Sequence, residues 1–130
     1  MDWKEKRKKT GIRRLGFSFV YAARGLYYVY KHEQNMKIHV FLTLFIVLLA
    51  ISLDVGLLQI GMLLIVIGGV ITLEMVNTAI ERVVDLVSPT YHPLAKTAKD
   101  VAAAAVLIYS MIAVIVGIIV FYEPVMNLFL

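Results

Sequence analysis

Residues 55–85 read VGLLQIGMLLIVIGGVITLEMVNTAIERVVD: nineteen residues without a charge, followed by Glu74, Asn77, Glu81 and Asp85. The first part is greasy enough to enter a bilayer, and the second places polar groups at its exit. At about 100° per residue, the four polar side chains fall on one stripe of a helix. Met75, Val76, Ala79, Ile80 and Val83 take the opposite face, which suits lipid or a neighbouring helix. An ionised side chain deep in a bilayer costs roughly 2.5–3.5 kcal/mol on insertion scales, so such residues turn toward a bundle interior. Glu81 and Asp85 can be read simply as wet residues at a helix end. Glu74 and Asn77 sit a turn or two deeper, where that reading does not serve.

Two further apolar runs flank this one, residues 38–53 and 101–122. Apolar residues make up 61% of the 130, and mean hydropathy is +0.84. A spanning helix needs about 20 apolar residues. So small a chain could not cover three such helices as a water-soluble core. The expectation is an all-α integral membrane protein in one domain, with spans at about 38–53, 55–81 and 101–122. The charged start, MDWKEKRKKTGIRR, is not read as a cleavable signal peptide. With no cysteine, disulfide and thiolate chemistry are excluded.

The net charge of +4 matters less than its placement. Ten of the thirteen Lys and Arg precede the first span, and the other three, Arg82, Lys96 and Lys99, lie between spans two and three. With three spans those regions share a side, which the positive-inside rule assigns to the cytoplasm, N-terminus included. Basic clusters beside a span meet anionic headgroups more simply than nucleic acid, so no nucleic-acid partner is expected. Residues 1–37 form a cytoplasmic and interfacial segment. Within it Arg14, Ser18, Tyr21, Gly25 and Tyr28 recur three or four apart, predicting an amphipathic helix in the membrane surface. Breaks fall at Asp54 and at residues 88–93, SPTYHP. Residues 82–100 are expected to be a cytoplasmic loop leading into the third helix.

A carboxylate stripe can bind metal, relay protons or pair with Arg82. His32, Glu33 and Asn35 precede span one, and Lys96, Lys99 and Asp100 precede span three, at the same membrane depth. Packed together they make one site of several carboxylates and cations. Hard oxygen ligands such as Glu33 and Glu81 suit Mg²⁺, which needs few protein ligands when a phosphate supplies the rest. Lys99 and Arg14 could neutralise that phosphate; Lys96 with Asp100 can equally be a plain helix pair. His32, His39 and His92 are not spaced as a zinc site. No GxxxxGK[ST] phosphate loop is present, and Gly68-Gly69 reads as close helix packing.

The string E-x-x-N-[ST]-A-I-E-x-x-x-D (residues 74–85), with A-K-x-x-K-D (95–100) and A-A-V-L-I (104–108), strongly resembles the prokaryotic diacylglycerol kinase family. The upstream H-E-x-N-x-x-I-H (32–39) looks like its undecaprenol kinase branch. The resemblance runs from about Arg14 to Phe121.

It implies a homotrimer of chains with three spans and a surface helix, with active sites between protomers in the bacterial inner membrane. The implied reaction moves the γ-phosphate of ATP, with Mg²⁺, to a lipid alcohol: undecaprenol, or alternatively diacylglycerol. By resemblance Glu74 is the catalytic base, supported by Asn77, and Glu33 and Glu81 hold the metal. ATP would contact Arg14, Tyr21, Glu33, Glu81, Thr90, Tyr91, His92, Lys99 and Asp100. The lipid would lie near Arg14, Ser18, Asn35, Glu74 and Ala103. Thr90 departs from the acidic residue often found there in the diacylglycerol branch, and Asp85 takes a supporting role. The rival of another class is an ion or proton conductor lined by Glu74, Glu81 and Asp85, which would need no ATP.

Overall fold

The computed structural model describes residues 12–129, and all its regular structure is helical. Four helices follow one another: α1 (Ile12–His32), α2 (Gln34–Ser52), α3 (Leu57–Val87) and α4 (Pro93–Met126). They fall into two compact units, Met1–His32 and Glu33–Leu130. The first holds α1, with Phe17 and Tyr21 stacked one turn apart at 6.4 Å and Tyr28 and His32 at 4.3 Å.

The second unit holds α2, α3 and α4, each long and apolar enough to cross a membrane. Their surfaces say the same thing. Leu57, Leu58, Ile65, Val101 and Ile119 are largely exposed, a display of aliphatic surface that water would not tolerate and that lipid solvates. The chain is a multi-pass membrane protein.

Turn chemistry ends the helices where the sequence places its breakers. Asp54 lies between α2 and α3 in the left-handed region, φ 50°, a conformation that short polar Asp accepts better than most residues. Val55 N–H donates back to Ala50 C=O at 3.1 Å, closing the hairpin tightly. At the other end α3 continues to Val87 and α4 opens at Pro93, so only residues 88–92 are non-helical. Pro93 occupies the first turn, where its missing N–H costs nothing. His92 Nδ1 caps α4 by accepting from the Leu94 N–H at 3.2 Å.

Near the Asp54 turn, Ala50, Val55, Leu63, Val120 and Phe121 form a buried cluster. Of the helix pairs, α3 with α4 makes the more extensive contact. Gly69 is central to it: any Cβ there would collide with the Tyr109 ring. Midway along, the three helices leave a mostly apolar cavity of about 420 Å³, with His39, Leu63, Val66, Val70, Ala113 and Phe121 among its lining.

Helix length then sets the depth of everything else. A hydrocarbon core about 30 Å thick takes about 20 residues of helix. Counted from Leu57, that brings α3 to its exit near Asn77. Counted back from Tyr122 on α4 and Ser52 on α2, it arrives near Ala102 and Glu33. Three separate segments therefore reach one boundary, and the remaining turns of α3 and α4 project beyond it.

Candidate active site

The polar stripe of α3 stands at that boundary. Glu74, Asn77 and Thr78 are buried, with Glu74 only 2% exposed, and Glu81 one turn further is half-buried. The stripe runs up the same face as Leu63, Val66 and Val70, at three- and four-residue intervals, so the packed face of a spanning helix turns polar as it leaves the hydrocarbon. Thr78 Oγ1 donates to the Glu74 carbonyl at 3.0 Å, meeting its own need within the helix. The Glu74 carboxyl is not so well served. Its Oε2 is buried without a hydrogen-bond partner, and so is Asn77 Oδ1 one turn away. Buried acceptors left unpaired cost about 1–3 kcal/mol each, which marks this spot as built for something other than stability.

Two further acids share its field. The charges of Glu33 and Glu81 act on the Glu74 carboxyl, and the Asn35 side chain reaches it. Glu33 is the N-cap residue of α2 and Asn35 lies in its first turn. Thus the start of one spanning helix meets the exit of another. Among the described residues, no three Asp, Glu, His or Cys side chains form a cage able to hold a metal unaided.

The cations are paired. Arg82 Nη2 donates to Glu33 Oε1 at 2.6 Å, bridging α3 to the head of α2. Lys99 Nζ reaches Asp85 Oδ1 at 2.5 Å across the 88–92 connection, and Lys96 Nζ reaches Asp100 Oδ2 at 2.5 Å within α4.

Within the second unit, the residues expected at a site make the following contacts. Asn77, expected to support Glu74, donates its amide to Glu81 Oε1 at 3.0 Å: four residues on places the pair one turn apart on one face, the geometry helices favour. Lys99 and Asp100, expected to face a nucleotide, hold Asp85 and Lys96. His92 is spent on capping α4, Thr90 accepts from Ser88 Oγ through its carbonyl at 3.0 Å, and Tyr91 is exposed. Ala103 lies exposed on α4, one residue from the buried Ala102. In the first unit, Arg14, Ser18 and Tyr21 share one side of α1, and Ser18 Oγ donates to the Arg14 carbonyl at 3.1 Å. Two features went unread in the sequence: the back-bond of Thr78, and the Asp85–Lys99 pair. The latter's signal was opposite charge on either side of a short proline-bounded connection.

Residues 20–121 match the family model of prokaryotic diacylglycerol kinase. The undecaprenol kinase of Bacillus subtilis is 36% identical over 93% of this chain and 97% of its own length. A diacylglycerol kinase of Synechocystis is 40% identical over 85% of this chain, which spans only 64% of that relative. One from Helicobacter pylori is 36% identical over 82% of this chain and 84% of its own.

Proposed function

The chain belongs to the prokaryotic diacylglycerol kinase family and is a membrane lipid kinase; from that premise we propose that it transfers the γ-phosphate of ATP to undecaprenol, giving undecaprenyl phosphate. The observation that carries the reading is Glu74: a fully buried carboxyl with a bare oxygen, toward the polar end of a helix long enough to span a membrane. An alcohol is a poor nucleophile at neutral pH, so a base within hydrogen-bond reach of its proton assists attack. Oε2 is the atom that would receive that proton.

Phosphoryl transfer otherwise depends on positioning and on neutralising charge. Mg²⁺ bound with the nucleotide supplies that neutralisation. Glu33 and Glu81 are the side chains that would hold it, and the residues fit such an ion. They are hard oxygen donors from two segments, too few to displace the waters and phosphate oxygens Mg²⁺ retains. One of them already attracts a guanidinium. Asn77, through its bond to Glu81, orients that ligand. By the family resemblance, Lys99 and Arg14 would be the cations for the nucleotide phosphates, and Tyr21, Thr90, Tyr91, His92 and Asp100 would be further nucleotide contacts. By the same resemblance, Ser18, Asn35 and Ala103 would contact the lipid headgroup.

Undecaprenol is favoured over diacylglycerol on two grounds. The Bacillus relative named for undecaprenol matches nearly end to end, and the motif at residues 32–39 is of that branch. The apolar cavity just below Glu74 also suits a hydrocarbon tail better than ester carbonyls, which would be buried among few donors. The same reading has the chain acting as a homotrimer in the bacterial plasma membrane. Its N-terminus would be cytoplasmic, and α1 would lie in the interface with its aromatics at headgroup depth. The test offers purified protein in lipid both alcohols with labelled ATP. Label is expected chiefly in undecaprenyl phosphate; preferential labelling of diacylglycerol overturns the substrate and leaves the kinase.

A further inference from the structure

Glu33 is the N-cap of α2, yet its side chain makes no capping hydrogen bond. The side chains that satisfy the free amides of the first turn from that position are the short ones, Ser, Thr, Asp and Asn, and Glu is longer. Its carboxylate is instead committed across 49 residues of sequence to Arg82. Three carboxylates, Glu33, Glu74 and Glu81, share one field, and like charges so gathered need a counter-charge. On α4, Lys99 is held by Asp85 and Lys96 by Asp100, so the guanidinium on Glu33 comes from α3 itself.

We propose that Arg82 is a placeholder cation: it occupies the Glu33 carboxylate while the site is empty and gives way when a divalent ion arrives. This rests on the reading of Glu33 as a metal ligand. The bond is suited to exchange. The Arg82 side chain is 48% exposed and that of Glu33 20%, and pairs so open to water hold weakly and are screened by salt. A single positive charge balances one of the three carboxylates, whereas a doubly charged ion balances two. Arg82 is thus a positioning residue. It acts through Glu33, balancing that carboxylate until a metal competes for it.

The test measures Mn²⁺ binding by electron paramagnetic resonance, without nucleotide, on the full chain in lipid. Mn²⁺ serves because it shares the oxygen preference of Mg²⁺. Removing a weak competitor in Arg82→Gln should tighten Mn²⁺ by roughly three- to fivefold, with Arg82→Lys between it and wild type. Glu33→Gln should weaken Mn²⁺ at least about tenfold. If both Arg82 variants bind Mn²⁺ as wild type does, or more weakly, while Glu33→Gln weakens it, the placeholder is refuted and the metal site stands. If Glu33→Gln also has no effect, the metal reading of Glu33 fails with it.

Discussion

Glu74 and Glu81 stand two turns apart on α3, and their surroundings separate their roles. Glu74 is sealed in with one oxygen unpartnered; Glu81 is half-buried and held by the Asn77 amide. The first arrangement suits a group that takes up a proton, the second a ligand kept in one orientation. Glu81→Gln should therefore raise the Mg²⁺ concentration needed for half-maximal turnover by about tenfold or more, as a metal titration at saturating lipid reads; an unchanged requirement would remove Glu81 from the metal. The stripe itself was legible, because a helix fixes which residues share a face. The partner of Asn77 was not. Periodicity places both Glu74 and Glu81 within a turn of it, and only the side-chain rotamers choose between them.

At the scale of the helices, the apolar runs and their breakers carried most of the architecture. Asp54 and the proline-bounded 88–92 connection end the elements much as their chemistry dictates. The paired glycines were legible only in part. Gly69 admits the Tyr109 ring, while a Cβ on Gly68 would meet nothing within 4 Å. Sequence shows that two backbones can approach closely, and the register of α4 decides which glycine is used. Gly69→Ala should lower the stability of the α3–α4 pair by about 1–3 kcal/mol, seen as a lower thermal midpoint in detergent. Adding Tyr109→Ala should recover part of the loss by vacating the same space. A single variant as stable as the parent would contradict that packing.

Across the whole molecule, three helices of unequal length bring their polar ends to one depth because each is measured against the same hydrocarbon thickness. That alignment joins a buried carboxyl, a hydrocarbon cavity beneath it and a rim of charge above it. Gly117 lines the cavity with open space at its Cβ position. Gly117→Leu should accordingly raise KM for undecaprenol roughly tenfold while leaving KM for ATP unchanged; an undecaprenol KM equal to that of the parent would mean the acceptor tail lies elsewhere. The pairing of Asp85 with Lys99 was hidden at the sequence level for a related reason: charge patterns tell which residues want partners, and the fold of the connection tells which partner arrives.

The most direct measurement is the turnover of Glu74→Gln, with assembly checked in parallel. The substitution keeps the shape of the side chain and removes its capacity to accept the lipid proton. Turnover should fall by about 10²- to 10⁴-fold in a protein that still folds and inserts. Near-normal phosphorylation of the lipid alcohol by that variant would contradict the assignment of Glu74 as the base.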